Sequence, residues 1–216
     1  MNEKTGAVFC IAKDNQPIAG CTISKAVYDN GEDYISHFSL AENTDISAEI
    51  YGYYKLILLH EGRLEVYTDK DIWTLREGDC ILTPTDTPVG MRTNTRAIYT
   101  EISIRRNTMN NAVKSGEVFK LAELLPYQDG KIINMDVAHN EKMKFVIMSF
   151  DEGTGLSEHA APGEALIVAL EGKGIIGYEG KKHPIKAGEN FKFAAGGKHW
   201  VKADGRFKMA LLMTLE

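Results

Sequence analysis

Three side chains in the C-terminal half carry most of the recognisable chemistry: His159, Glu164 and His199. Imidazole and carboxylate groups bind ligands by hydrogen bonds and move protons near neutral pH. Their interest lies in a comparison internal to the chain. A shift of 110 residues lays the sequence on itself without a gap from about Ile35 to Ile98. Ser39, Glu42, Thr44, Ser47, Leu56, Ile57, Glu61, Gly62, Gly78 and Arg96 recur as Ser149, Glu152, Thr154, Ser157, Leu166, Ile167, Glu171, Gly172, Gly188 and Arg206. Self-similarity at a fixed offset reports architecture more firmly than any single motif. Where the second copy has His159, Glu164 and His199, the first has Glu49, Tyr54 and Val89, so only the second copy is expected to be equipped for chemistry.

The elements that must position these residues read as strands. Short apolar stretches broken by Gly and charged residues run at close spacing, such as Tyr34 to Leu40, Lys55 to His60 and Ala97 to Ile104. The second copy repeats them as Lys144 to Phe150, Ala165 to Leu170 and Phe207 to Leu215. Neither half shows a long helical period, which is the all-β signature. Gly62 and Gly172 each follow an apolar strand and are read as hairpin turns, and Gly78 and Gly188 lie 16 residues further on. The polar, Asn-rich stretch 105–116 is expected to link an N-terminal domain, 1–104, to a C-terminal domain, 117–216. Ala7 to Ile11 is expected to pair as an extra strand, and Val118 to Leu125 to open the second module.

Composition bounds the remaining classes. The chain of 216 residues has 44% hydrophobic and 25% charged residues, ordinary for a globular protein. No segment has the apolar length of a bilayer span, and the polar start shows no signal-peptide pattern, so a cytoplasmic protein without membrane attachment is expected. Cys10, Cys21 and Cys80 show no paired spacing and fit reduced thiols. With a net charge of -5 and basic pairs only at Lys181-Lys182 and Arg105-Arg106, nucleic-acid binding is not expected. His37, His60 and His139 have no partner pattern, and His183 reads as a packing or surface residue. No phosphate loop, dinucleotide fingerprint or nucleophile-base pairing is present.

The strand-plus-Glu-Gly ending and the later Gly-Asp/Glu segment running to His199 resemble the two motifs of the cupin superfamily, in both copies. The resemblance covers about 16–101 and 117–215 and implies a bicupin: two tandem double-stranded β-helix, or jelly-roll, barrels related by duplication. Members commonly hold a divalent metal with two His and a Glu from the first motif and a His from the second. By strict alignment His159 and His199 keep two of the four positions, and Ala161 and Ala165 stand at the others. Glu164 is offset by one residue and would reach inward only if Pro162-Gly163 forms an irregular turn. In the first copy the four positions read Glu49, Tyr51, Lys55 and Val89, where no metal is expected.

The reading that needs fewest assumptions is a small-molecule-binding bicupin with one pocket in its C-terminal barrel. His159, His199, Glu164, Phe191, Phe193 and Met209 line that pocket, with or without one divalent ion (Zn, Fe, Mn or Ni) on His159, His199 and Glu164. A second reading is a metal-dependent enzyme of dioxygenase, isomerase or lyase type, its catalytic residues unassigned. A third is a structural or regulatory module acting through its subunit interface. The resemblance implies a homodimer, and Glu164 discriminates between the first two readings: a carboxylate aimed between the imidazoles favours the enzyme.

Overall fold

In the computed structural model, which describes residues 1–104 and 109–215, nearly every element is a strand. The first half runs through β1 (Val8–Phe9), a one-turn helix (Ile11–Asp14), β2 (Thr22–Asp29), β3 (Tyr34–Leu40), β4 (Thr44–Ile50), β5 (Tyr54–Tyr67), β6 (Ile72–Arg76), β7 (Asp79–Leu82), β8 (Pro88–Thr93) and β9 (Ala97–Ile104). The second continues with β10 (Val118–Lys120), a 3-10 turn (Leu121–Glu123), β11 (Ile132–His139), β12 (Met143–Phe150), β13 (Gly155–Ala160), β14 (Ala165–Tyr178), β15 (Lys181–Lys186), β16 (Asn190–Phe193) and β17 (Lys198–Thr214). They form two curled sheets, as expected of an all-β jelly-roll fold.

The 110-residue offset holds pair by pair in the strand registers. His37 faces Thr100 and Ile147 faces Ala210; Lys55 faces Ser103 and Ala165 faces Met213; Glu49 faces Val89 and His159 faces His199. Bulges recur at the same places, between Ile46 and Glu49 and between Leu156 and His159.

The correspondence also extends further back than Ile35. Val8 pairs with Phe191 on the C-terminal sheet, and Val118, 110 residues on, pairs with Ile81 on the N-terminal sheet. The two copies therefore exchange their first strands. The apolar stretch near the start does pair as an extra strand, but on the distal sheet. Val118 to Lys120 is a strand followed by a short helical turn, on the sheet of the preceding copy. The expected linker 105–116 is bridged at Met109 and Ser115, and its residues 105–108 lie outside those described.

Three cores follow from strand alternation. Ile57, Leu59, Val66, Ala97 and Tyr99 pack inside the N-terminal sheet, and Ile167, Phe191, Phe193, Phe207 and Met209 inside the C-terminal one. The opposite faces, Ile35, Leu56, Ile98 and Ile102 from the first and Phe145, Ile147, Leu166 and Leu212 from the second, meet in a shared core. This explains why β9 is buried at all eight positions, as strands covered on both faces are.

Gly62 and Gly172 are not hairpin turns. β5 and β14 run straight through them, and each glycine sits at a bulge with φ of +88° and +74°. The left-handed backbone bends the long strand so that its two ends pair with different neighbours. The turns lie at Gly78 and Gly188, where the Asp79 and Glu189 carboxylates accept hydrogen bonds from the Arg76 and Lys186 amides.

Candidate functional site

His159 on β13 lies directly across from His199 on β17. Their ring centroids are 4.3 Å apart, and the His199 ring stacks on Phe193 at 3.9 Å with 20° between planes. His199 is buried beneath the exposed His159. Each Nδ1 lies within hydrogen-bond distance of a carbonyl two residues back: 2.8 Å to Ser157 O and 2.9 Å to Gly197 O. A carbonyl only accepts, so each Nδ1 carries a proton, and in the neutral form of either ring Nε2 keeps the lone pair. Burial holds His199 below the ordinary imidazole range; the Gly197 carbonyl opposes this and the neighbouring His159 reinforces it.

Glu164 is not brought to this pair. Gly163 presses so closely on the Thr214 carbonyl that a Cβ there would collide with it, and the Glu164 amide donates to Thr214 Oγ1 at 3.0 Å. From there the carboxylate pairs with Lys192 Nζ at 2.5 Å and with the Met1 amino group. Burial works to raise its pKa, but the hydrogen bonds from Lys192 and the amino group outweigh it and hold the acid below the usual range. Among the other expected pocket residues, Phe193 meets His199, and Phe191, Phe193 and Met209 are all fully enclosed in the C-terminal core. Gly197 lies against the Tyr178 ring, and His183 packs on Phe191 at 5.0 Å.

No group of three or more His, Cys, Asp and Glu side chains is gathered for a metal among the described residues. Two imidazoles whose nearby carboxylate is bound elsewhere do not fit the three or four protein ligands that a resident divalent ion takes. No helix is long and apolar enough to cross a membrane among the described residues.

The cupin domain model matches residues 146–215. A cupin 2 conserved barrel domain protein from Leptotrichia buccalis superposes with a TM-score of 0.86 at 25% identity, covering 99% of this chain and 98% of that one. The fold is that of the cupins. Two further solved structures share the fold at lower identity. Protein Ylba from E. coli has a TM-score of 0.60 at 12% identity over 98% of this chain and 92% of its own. A salicylate 1,2-dioxygenase from Pseudaminobacter salicylatoxidans has a TM-score of 0.60 at 11% over 88% and 75%. Curated proteins give no match.

Sequence reasoning missed one cluster in this cupin fold. His37 and His60, read as lacking partners, flank Thr100, whose hydroxyl lies 2.8 Å from His37 Nδ1 and 2.6 Å from His60 Nε2. Glu3 stands 3.5 Å from His37 Nε2 and 2.7 Å from Lys25 Nζ. The signal was available in the repeat: the same positions of the second copy are Ile147, Leu170 and Ala210, an apolar set.

Proposed function

We propose that this chain is a bicupin that binds a small molecule at the mouth of its C-terminal barrel, against the facing imidazoles of His159 and His199, the latter backed by Phe193. The observation that carries the reading is the facing imidazole pair, both rings fixed through Nδ1. With Nδ1 of each ring held by a carbonyl, the two Nε2 atoms side by side are the ring atoms left to meet a ligand, and as acceptors they suit one that presents N–H or O–H donors. Glu164 supports binding rather than metal catalysis, because its charge is already spent on Lys192 and the Met1 amino group. In this reading the domains are 1–104 and 117–216 apart from their exchanged strands, the protein is cytoplasmic, and a homodimer covers one of the outer strands, β2 or β11.

The test uses protein purified without chelator or affinity metal, alongside His159→Ala and His199→Ala. Native mass spectrometry and elemental analysis of wild type should find a small molecule at sub-stoichiometric to full occupancy and no stoichiometric metal. The molecule should be lost from both variants. Stoichiometric Zn, Fe, Mn or Ni that disappears from both variants would replace this reading with the metal-dependent one.

A further inference from the structure

A cavity of about 300 Å³ lies between the two sheets, outside both barrel interiors. Its walls come from both copies: Leu58 and His60 of β5 stand with their counterparts Val168 and Leu170 of β14. Leu121, on the exchanged segment that follows β10, adds a further apolar wall. Leu58 and Leu121 belong to the core that the sheets share, whereas Ile57 and Leu59, which alternate with them on β5, pack inside the N-terminal sheet. One polar ring meets this apolar lining. His60 is half-buried at the position where the second copy has Leu170, and the charged residues Glu77 and Lys120 stand exposed at the rim. The two ring nitrogens of His60 are not equivalent. Nε2 lies 2.6 Å from Thr100 Oγ1, which also lies 2.8 Å from His37 Nδ1. Nδ1 has no hydrogen-bond partner among the described residues.

We propose that this inter-sheet cavity is a binding site for a compact, uncharged compound of one ring and one hydroxyl group, the hydroxyl meeting His60 Nδ1. Sheet pairing does not require the polar trio, since the second copy builds the same layer from Ile147, Leu170 and Ala210. Size and lining select the body of the ligand. An apolar cavity of about 150 Å³ is enough to hold benzene, so this one has room for a substituted ring. The hydrogen-bond chain selects the polar group. Thr100 has a single hydroxyl hydrogen, so it donates to one imidazole and accepts from the other. His60 Nδ1 is an acceptor in one arrangement and a donor in the other, and a ligand hydroxyl serves both where a carbonyl serves only one. Charge selects neutrality. Burial lowers the His60 pKa to about 4, so the ring offers an anion no charge in neutral solution, and Glu77 and Lys120 offset one another at the rim. An ion inside these walls would be desolvated without a counter-charge.

Phenol, toluene and benzoate share a ring and differ in one substituent: a hydroxyl, a methyl of similar size and a charged carboxylate. Each is titrated into the full chain carrying isotope-labelled Leu and Val methyl groups and followed by NMR. Leu58, Leu121, Val168 and Leu170 then report from the cavity walls, and a probe bound elsewhere leaves them unmoved. Phenol should shift these signals saturably and bind about fivefold more tightly than toluene, or better, as expected of one net hydrogen bond, with benzoate the weakest. Two variants test the contact. His60→Leu carries the second copy's residue, and His60→Gln keeps a hydrogen-bonding group toward Thr100 but has none in place of Nδ1. Both should lose the preference for phenol over toluene. His60→Gln and the wild-type comparison decide the matter even if His60→Leu does not fold. No saturable shift at the cavity methyls, equal binding of phenol and toluene to wild type, or a preference that survives in His60→Gln would overturn the proposal. Tighter binding of benzoate than of phenol would overturn the uncharged class. The cavity shares no residue with the His159–His199 mouth, so either site can fail without the other.

Discussion

Gly172→Ala should be among the most damaging single substitutions in this protein, costing on the order of 3–5 kcal/mol of folding stability. Two effects add. At φ +74° any side chain sits in the left-handed region, worth about 1–2 kcal/mol. A Cβ built there would also lie 1.9 Å from the Arg206 carbonyl oxygen, across the bulge. That oxygen belongs to a paired strand and cannot swing aside as a side-chain tip can, so β14 and β17 would have to part locally. Gly62→Ala should behave alike, with φ +88° and the Arg96 oxygen 2.0 Å from the added carbon. Gly188→Ala serves as the control. Its φ is +83° but nothing lies within 4 Å, so it should show only the backbone part, about 1–2 kcal/mol. Urea midpoints at constant m-value measure all three, and equal costs at Gly172 and Gly188 would refute the carbonyl clash.

The second large effect is a loss of stability in mild acid, arising from His37 and His60. Burial lowers the pKa of His37 to about 3, with His60 and Lys25 reinforcing it, and burial lowers that of His60 to about 4. Glu3, 3.5 Å from His37, pulls the other way, but its carboxylate is itself paired with Lys25. In the unfolded chain both rings titrate near 6.5. Below that pH the unfolded state takes up protons that the folded state refuses, so stability is complete above about pH 7 and falls as pH drops. Each histidine contributes a slope of about 1.4 kcal/mol per pH unit. His60 keeps an edge toward a cavity of about 300 Å³ between the sheets, lined also by Leu58, Lys120 and Leu170, so its share is the smaller. The pair should cost about 3 kcal/mol between pH 7 and pH 5. A variant carrying the second copy's residues, His37→Ile/His60→Leu/Thr100→Ala, should lose most of that slope in denaturant titrations at several pH values. An unchanged slope would place the acid sensitivity elsewhere.

The repeat, the strands and the absence of long helices could be read directly from the sequence, because side-chain alternation and Gly placement are local properties that recur at a fixed offset. The facing of His159 and His199 follows from the same offset once the strands pair. Misreading Gly62 and Gly172 as hairpin ends has a clear cause. A glycine at positive φ serves a turn and a mid-strand bulge equally well, and only the continued pairing through Tyr67 and Tyr178 separates them. One tertiary detail shows how the copies satisfy a common rule differently. Tyr67 covers Gly90 across β5 and β8, while Trp200 covers Gly177 across the equivalent strands, with aromatic and glycine interchanged.

By itself the sequence determined that this chain is an all-β protein built on an internal repeat, with His159 and His199 present in the second copy alone. Both features are carried by residue type and spacing along a single strand or a single offset. Three things were decided only by tertiary structure: the exchange of β1 and β10 between the sheets, the pairing of Glu164 with Lys192, and the gathering of His37, His60 and Thr100. Each joins residues that no local period relates. Which of several compatible partners a buried charge or strand edge takes depends on which of them the closed sheets bring within a few ångströms.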